Sequence, residues 1–320
     1  MNLNLFGHDG QWLMVDCGVT FDEPLVAPYL NQNAGSRHHV VAPDPAFIVQ
    51  QREQLAGLVI THGHEDHVGA VAALWPRLRC PVFATPFTAE ILHRKLGQVG
   101  LAGKVPVQIV RPDATLTVGP FVLSWLAITH SIPEPQALLI STSAGAVFHT
   151  ADWKIDAQPV SGKPFNANLY RQLGETELLA LVGDSTNALK PGFSISERIC
   201  AEGLNTVIKR CTGRVVVSCF GSNIARLMSL ARIAQQTGRY MALLGRSLEN
   251  MHGIAKKTGY WPDDLDVLEK AHIGYLPPDE VLVIATGSQG EPRAALNRMA
   301  IDASPYFELE AGDTVIFSSI

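Results

Sequence analysis

The sequence predicts a layered α/β protein built from two domains. In the first half, short apolar runs that read as strands alternate with amphipathic segments that read as helices. From residue 196 onward, a strand, a loop and a helix recur in turn, which indicates a parallel sheet with helices on its faces. The length of 320 residues suggests two domains, and Lys190-Pro-Gly192 marks the boundary between residues 1–192 and 193–320.

The first domain opens with a predicted hairpin. Residues 3–17 place two apolar runs on either side of a His8-Asp9-Gly10 turn. Residues 19–45 contain several prolines and little periodicity, so we expect a loop there. His38 and His39 lie in this loop, and we interpret them as solvated, because no acid or histidine stands at ligand spacing beside them.

Further apolar runs predict the rest of the first domain. The run Leu58–Ile60 indicates a buried strand, and a helix that begins at Ala70 should be curtailed by Pro76. A second helix is expected over 86–96, and strands are expected at 81–84, 107–110, 115–118, 121–127, 137–141, 146–150 and 178–182.

The second domain shows the pattern of a parallel sheet. Helices are predicted at 196–211 and 224–237, and strands at 215–219, 241–244 and 281–285. Each of these strands ends in a loop of small, polar residues that includes glycine. Such loops present backbone N–H groups to an anion, and they are equally ordinary turn chemistry.

The turn after the buried strand is the strongest functional signal. It reads Thr-His62-Gly-His64-Glu-Asp66-His67, with the helical pattern resuming at Val68. His62 and His64 can point the same way from an extended turn, and Asp66 and His67 follow where a helix begins. Two adjacent ligand pairs suit two metal ions, and imidazole and carboxylate are ligands that zinc accepts. The spacing does not match a helical H-E-x-x-H site.

Asp16 is a further candidate, because it closes the second strand of the hairpin. A buried carboxylate is costly without a donor, so Asp16 requires a hydrogen-bonding partner. The alternative is that Asp16 caps the turn before Gly18.

Composition gives broad limits on function. The chain is 47% hydrophobic and 17% charged, with a net charge of -5, which argues against a generally basic nucleic-acid coat but allows a local basic groove. We expect no membrane span or secretory leader, and hence a cytoplasmic location. The 5 cysteines are widely spaced, which predicts reduced thiols rather than disulfides or a thiolate zinc site.

Several stretches resemble a known family. The HxHxDH turn is similar to that of the metallo-β-lactamase fold. The segments Thr129-His-Ser-Ile-Pro-Glu134 and His149-Thr-Ala-Asp-Trp-Lys-Ile-Asp156 resemble motifs of the ribonuclease J family, in the β-CASP branch. Three segments of the second half strengthen this resemblance: Gly183-Asp-Ser-Thr-Asn187, Phe220-Gly-Ser-Asn223 and Thr286-Gly-Ser-Gln-Gly-Glu-Pro292.

The resemblance implies an αββα sandwich for residues 1–192, the N-terminal part of a metallo-β-lactamase domain. It implies a β-CASP parallel α/β domain, incomplete, for 193–320. It also implies two zinc ions per active site, with His130 on the first ion and Asp152 bridging both. The ligand set it implies is His62, His64, Asp66, His67, His130 and Asp152.

The resemblance assigns further roles as well. Asp66, His67, Asp152 and Asp184 become the catalytic residues. Asp16 and Asp184 support the ligands from behind, although Asp184 also fits a plain Asp-Ser-Thr turn. Contacts to RNA or phosphate are implied at Ser222, Asn223 and Ser288, while Ala225 stands where relatives often have histidine.

The implied function is a zinc-dependent ribonuclease acting on single-stranded RNA, from a 5′ end, internally or both. The rivals are another metallo-β-lactamase-fold hydrolase, acting on small thioesters or lactams, and a non-catalytic subunit that binds RNA or a partner. A homo-oligomer stays open. Two later histidine motifs of the family are absent, the last histidine being His272, so we expect a fragment or short form whose second zinc site lacks a ligand.

Overall fold

A computed structural model of the chain describes residues 1–21, 40–288, 290–291 and 294–319. The chain divides into two compact units. The first unit comprises Met1–Ile128, Glu134–Trp153 and Asn166–Lys190, and the second comprises Thr129–Pro133, Lys154–Phe165 and Pro191–Ile320. His38 and His39, and most of the loop expected at 19–45, lie outside the described residues.

The first unit contains two five-stranded sheets. One has the order β1-β2-β5-β6-β7 and the other the order β12-β11-β10-β9-β8. The strands are β1 Asn4–His8, β2 Gln11–Val15, β3 Thr20–Phe21, β4 Val40–Val41, β5 Leu55–Val59, β6 Val82–Ala84, β7 Val107–Ile109, β8 Thr115–Val118, β9 Phe121–Ala127, β10 Gln136–Thr142, β11 Gly145–His149 and β12 Leu178–Val182. The helices are α1 Ala46–Gln50, α2 Glu65–Val68, α3 Val71–Leu78, α4 Pro86–Gln98 and α5 Ala167–Gly174, with a 3-10 turn at Arg52–Gln54.

The inner faces of these two sheets form one apolar core. Leu13 and Val59 from the first sheet pack in the same cluster as Leu123, Trp125 and Leu138 from the second. Alternate residues of β9 are buried, which is the period of two expected of a strand with one face on a core. The predicted two-sheet sandwich is confirmed.

The opening hairpin is confirmed as well. Strands β1 and β2 pair antiparallel, with His8 opposite Gln11. Asp9 and Gly10 both have positive φ, 48° and 71°, which is the conformation of the two-residue turn that matches the twist of a hairpin.

Two predictions for the first unit require correction. Pro76 does not curtail a helix, because it lies inside α3, where the buried Val71, Leu74 and Leu78 outweigh one lost hydrogen bond. The region predicted as a loop contains the short antiparallel pair β3 and β4. The predicted strand at 178–182 is confirmed as β12, which is an edge strand, and its Leu179 and Leu181 are 62% and 65% exposed.

The second unit has a parallel sheet of order β14-β15-β13-β16. Its strands are β13 Val215–Ser218, β14 Tyr240–Leu244, β15 Val281–Ala285 and β16 Thr314–Phe317. Its helices are α6 Glu197–Ile208, α7 Ile224–Gln236, α8 Arg246–Lys257 and α9 Ala295–Ala300, with 3-10 turns at Lys270–Tyr275 and Pro278–Glu280. Every residue of β13 and β15 is buried, as expected where helices cover both faces of a parallel sheet, so this prediction is confirmed.

Side chains of the second unit fix the starts of two helices. Ser196 accepts a hydrogen bond from the backbone N–H of Ile199 at α6, and Asn223 accepts one from Arg226 at α7. Within the described parts of the chain, no helix is long and apolar enough to cross a membrane.

Candidate metal centre

The histidine-rich turn follows β5 and leads into the four-residue helix α2. His64 has extended backbone angles and is the N-cap residue of this helix. Its carbonyl accepts hydrogen bonds from the N–H groups of His67 and Val68, at 3.0 and 2.9 Å. Two residues separate the end of β5 from His62, and α2 carries Asp66 and His67.

The end of β2 packs against this turn without intervening side chains. Cys17 donates from its backbone N–H to the carbonyl of His67 at 2.7 Å, and Ala70 donates to the carbonyl of Cys17 at 2.9 Å. A Cβ on Gly18 would lie 1.7 Å from the carbonyl oxygen of Asp66. This position therefore requires glycine, and the close approach holds Asp16 behind the ligands.

Asp16 is fully buried and finds the donors that its burial demands. Its Oδ1 accepts from the Thr61 backbone N–H at 2.8 Å, and both of its oxygens lie within 3.0 Å of the Thr61 hydroxyl. Its Oδ2 lies 2.7 Å from Nδ1 of His67. With Nδ1 directed at Asp16, His67 presents Nε2 to the opposite side.

The charges around His67 stabilise its protonated form in the absence of metal. Burial alone would lower the pKa of His67, but the carboxylates of Asp16, Asp152 and Asp66 outweigh burial and raise this pKa to about 12. Burial would also raise the pKa of Asp66, yet its hydrogen bond to His67 and the charge of that ring lower it to about 2. The pocket is thus built to compensate a positive charge at this point, whether a proton or a cation.

The first group of potential ligands includes His62, His64 and Asp152. One ligand atom from each lies within 4.8 Å of the others. Nε2 of His62 is 3.1 Å from Nδ1 of His64, while Nδ1 of His62 is 3.1 Å from the Thr61 hydroxyl. Thr61 therefore orients His62 in the same way that Asp16 orients His67.

The second group consists of Asp66, His67 and Asp152, again with ligand atoms within 4.8 Å of one another. Nε2 of His67 lies 3.4 Å from Oδ2 of Asp66 and 3.2 Å from Oδ1 of Asp152. Asp152 belongs to both groups. It follows the end of β11, after Ala151 in the left-handed conformation at φ 52°.

These distances fit a zinc coordination shell. Ligands bonded to zinc at about 2.0 to 2.2 Å in a tetrahedron lie about 3.3 to 3.6 Å from one another. Three of the atom pairs in the two groups are separated by 3.1 to 3.4 Å, and the others lie within 4.8 Å. Nitrogen from histidine with oxygen from aspartate is also a donor set that zinc accepts, so the residues fit two zinc ions.

The remaining predicted site residues are His130, Asp184 and those expected to contact RNA. His130 follows β9 in the segment Thr129–Pro133, which belongs to the second unit. The Asp184 carboxylate accepts a hydrogen bond from the Thr186 N–H at 2.8 Å, the pattern of a self-capped turn. Its backbone N–H donates to the Thr150 hydroxyl at 3.0 Å, which ties this turn to the strand end before Asp152.

Among the predicted RNA contacts, Asn223 is already engaged. Besides capping α7, its amide donates to Oε1 of Glu197 at 3.1 Å, and only 8% of Asn223 is exposed. Ser222 and Ser288 are half-buried residues in the loops that follow β13 and β15.

Sequence reasoning missed two residues of the site, Asn2 and Thr61. The Asn2 amide lies 3.0 Å from Nε2 of His67 and 3.2 Å from Oδ2 of Asp66. Its backbone N–H also donates to the carbonyl of Asp66 at 2.8 Å. An asparagine near the chain start carries no local signal. Thr61 stands directly before His62 in the sequence, so its hydroxyl could have been considered as a partner for the buried carboxylate of Asp16.

Comparison with known proteins identifies the family of the chain. Residues 2–164 match the family model of the metallo-beta-lactamase superfamily. The chain belongs to this superfamily. Residues 212–320 match the model described as the ribonuclease J beta-CASP domain, which confirms the resemblance seen in the motifs.

Individual relatives of the chain are ribonucleases J. The chain is 44% identical to a ribonuclease J of Sinorhizobium meliloti, over 100% of this chain and 56% of that protein. It is 37% identical to a ribonuclease J of Mycolicibacterium smegmatis, over 99% of this chain and 55% of that protein. The chain therefore spans about half the length of the relatives it matches.

A solved structure shares the fold of the chain. It is the crystal structure of a protein of unknown function from Enterococcus faecalis V583, with a TM-score of 0.52 and 16% sequence identity. The match covers 88% of this chain and 70% of that one. At this identity the likeness concerns the fold alone.

Proposed function

We propose that the chain carries the metal centre of a zinc-dependent ribonuclease that hydrolyses phosphodiester bonds in single-stranded RNA. The observation that carries this proposal is the pair of ligand groups that share Asp152. Two ions a few ångströms apart are the usual device for in-line displacement at phosphorus. A carboxylate common to both groups can hold two cations at a fixed separation and offset their repulsion.

RNA as the substrate rests on the second half of the chain. Residues 212–320 match the β-CASP domain of ribonuclease J, and the relatives aligned over nearly the full chain carry that name. We extend their substrate class to this chain, with cleavage from a 5′ end, internally or both. We also propose a cytoplasmic location, which the unpaired state of all five cysteines supports.

Zinc, when bound, supplies the Lewis acidity that phosphodiester hydrolysis requires. The residues of this chain would hold and orient it. Asp16 keeps the proton of His67 on Nδ1, so that the lone pair on Nε2 faces the ligand cluster. Thr61 orients His62 through its hydroxyl, and Asp152 is common to both groups.

The other predicted roles enter as part of this proposal. We assign His130 as a further nitrogen ligand of the first ion, on the strength of the Thr129-His-Ser-Ile-Pro-Glu134 motif. Asp184 would position residues near Asp152 through the Thr150 hydroxyl. Ser222, Asn223 and Ser288 would contact RNA or phosphate, and for Asn223 this would come in addition to its capping of α7.

Zinc content and ribonuclease activity of one pair of variants test the function. Asp152→Asn keeps the shape of the side chain but removes the charge that offsets two cations, so it should abolish most of the activity. The matched control is Asp263→Asn, at an exposed aspartate of the second unit. Activity should be followed on a labelled single-stranded RNA, with circular dichroism to show that both variants fold.

Two results would contradict the proposal in different ways. Equal rates for Asp152→Asn and wild type would remove Asp152 from the reaction. Zinc binding without cleavage of RNA by the wild-type chain would leave the metal centre intact but exclude ribonuclease activity in this chain. Hydrolysis of a thioester or lactam by that same chain would then favour a small-molecule hydrolase.

A further inference from the structure

A cavity of about 300 Å³ lies within the second unit, away from the metal ligands in sequence. It is located at the carboxyl ends of β14 and β15, where Leu244 and Thr286 form part of its wall. In open α/β sheets, ligands bind in crevices just beyond the carboxyl ends of the strands. Its volume falls at the lower end of the range found for small-molecule sites.

Four charged side chains line this cavity: Arg246, Glu249, Lys270 and Arg298. Glu249 and Lys270 form an ion pair, with Oε1 and Nζ 2.5 Å apart, and this contact raises the pKa of Lys270. Among the residues that the structure describes, Arg246 and Arg298 form no ion pair with a carboxylate. The paired charges cancel, and two guanidinium groups remain uncompensated around one cavity.

The backbone around the cavity has a fixed shape. Gly245 has φ 143°, and a Cβ at this position would lie 2.4 Å from Cγ2 of Thr286. The N–H of Thr286 donates to the carbonyl of Leu244 at 3.1 Å, and its hydroxyl accepts from the N–H of Ala295 at 3.2 Å. Thr286 therefore joins the loop that begins α8 to the loop that begins α9, the helices that carry Arg246 and Arg298.

The charge balance selects the class of ligand. A divalent cation is disfavoured, because the single carboxylate that lines the cavity is already paired and three cations surround it. An apolar ligand would have to desolvate two arginines without compensation. A doubly charged anion with several oxygens matches two guanidinium forks, which bind phosphate through paired hydrogen bonds.

We propose that this cavity binds the phosphate group of a small phosphate monoester, such as a nucleoside 5′-monophosphate. Arg246 and Arg298 would each donate to the phosphate oxygens. Glu249 would hold Lys270 in place and weaken binding through its own negative charge. This site contains none of the metal ligands and does not rest on the proposed ribonuclease activity.

Calorimetric titration of the zinc-loaded chain with inorganic phosphate, AMP and adenosine tests the proposal. Phosphate and AMP should bind saturably, and adenosine should not bind. Arg246→Ala and Arg298→Ala should each weaken AMP binding at least about tenfold, since each removes a charge-assisted contact. The matched control is Arg232→Ala, an exposed arginine on α7 that does not line the cavity.

Three further variants keep the test decisive. Glu249→Gln should bind AMP more tightly than wild type, because it removes the negative charge from the lining and frees Lys270. Arg246→Lys keeps the charge and loses the fork, so it should weaken binding by a smaller factor, and it replaces Arg246→Ala if that variant fails to fold. AMP binding that Asp152→Asn abolishes and Arg246→Ala leaves unchanged would place the phosphate at the metal centre and overturn the proposal.

Several outcomes would overturn the inference. Absence of saturable binding by phosphate and AMP would do so, as would an equal loss in Arg232→Ala. Weaker AMP binding by Glu249→Gln would show that the pair with Lys270, rather than the two arginines, organises the ligand. Binding of a 5′-phosphorylated oligonucleotide without binding of AMP would exclude a small-molecule site and assign the arginines to an RNA end.

Discussion

Polar side chains are held in contrasting ways at the metal centre of the first unit and at the cavity of the second. At the metal centre, Asp16, Thr61 and His62 are fully buried, and His67 is nearly so. Each makes at least one hydrogen bond to another member of the set. At the cavity, Arg246 and Arg298 are exposed, and one ion pair is the main restraint on the charged side chains.

The difference corresponds to two kinds of recognition. A metal shell requires ligand atoms in place to within a fraction of an ångström, so its supporting residues must be rigid before the ion arrives. A phosphate group is selected chiefly by charge, and mobile arginines can close on it after it enters. The first unit should therefore be sensitive to small steric changes around its site, and the second should respond mainly to changes of charge.

The largest effect is expected for Gly18→Ala. A methyl group 1.7 Å from the Asp66 carbonyl oxygen cannot be accommodated, so β2 and the histidine turn must separate. We expect the chain to lose more than about 4 kcal/mol of its free energy of unfolding and to lose bound zinc. Chemical denaturation and zinc analysis measure the two effects.

The control for this substitution is Gly97→Ala in α4, where an added Cβ would meet nothing within 4 Å. It should leave the zinc content unchanged and should change the free energy of unfolding by no more than about 1 kcal/mol, in the stabilising direction. Full zinc content and normal stability in Gly18→Ala would show that the backbone at this site is more adaptable than the contrast with the second unit requires.

Asp16→Asn should have the next largest effect. The amide fits the space, but it cannot keep a buried charge opposite His67 and presents an N–H₂ group among donors. Removal of one partner from a buried pair typically costs about 3 to 5 kcal/mol, and loss of a supporting carboxylate weakens metal affinity by about 10- to 100-fold. Competition with a chelator for zinc would measure the affinity, with Asp9→Asn in the exposed hairpin turn as the control.

If Asp16→Asn bound zinc as tightly as wild type, the buried hydrogen bond would have a structural role only. Asp16 would then act as the turn cap that its position before Gly18 also allows.

The second unit also contains buried ion pairs, and Glu197→Gln tests the one between Glu197 and Arg226. Oε2 of Glu197 lies 2.9 Å from Nε of Arg226. Burial alone would raise the pKa of Glu197, but Arg226, Lys154 and Asn223 outweigh it and lower that pKa. A lowered pKa in the folded state means that the pair stabilises the fold fully when the pH is above the pKa of an unfolded glutamate, about 4.3. This stabilisation is lost as the pH falls through the lower pKa that Glu197 has in the folded state.

Glu197→Gln should therefore destabilise the chain at pH 7, by about 3 kcal/mol, since Arg226 stays buried without a full counter-charge. As pH falls below about 4.3 it should lose less stability than wild type, because the group that titrates is gone. Glu202→Gln, at an exposed position on the same helix, is the control. Parallel pH dependence in all three proteins would show that Glu197 does not contribute to acid unfolding.

The metal turn could be predicted from sequence because its ligands are close neighbours along the chain. Spacing alone identifies two ligand pairs from His62, His64, Asp66 and His67, and the structure places each pair together. Asp152 is distant in sequence, so only its family motif marked it. Contacts such as Asn2 with His67 depend on the pairing of distant segments, for which a single sequence holds no local sign.

The strands and helices show the same limit of prediction from a single sequence. Apolar runs predicted most strands, but the exposure of Leu179 and Leu181 depends on whether β12 has a neighbour on its outer side. Pro76 is tolerated inside α3 because packing of that helix outweighs a local propensity. The cavity of the second unit was not predicted, since Arg246, Lys270 and Arg298 come from three separate segments.

The smallest effect on stability is expected for Gly203→Ala, which should stabilise the chain, whereas the substitutions at the metal centre and at Glu197 should destabilise it. Gly203 lies on the exposed side of α6, and an added Cβ would meet nothing within 4 Å. Alanine in place of glycine inside a helix should stabilise the chain by up to about 1 kcal/mol, because the unfolded chain has less backbone freedom to lose. Amide hydrogen exchange over α6 should become slower to a corresponding degree.

Gly245→Ala provides the opposite case, since its Cβ would clash with Thr286 at the cavity and should speed exchange in α8. If both substitutions left hydrogen exchange unchanged, an added side chain would be tolerated at the strand-end loop as well as on the surface of α6. The charges of the arginines alone would then define the second site.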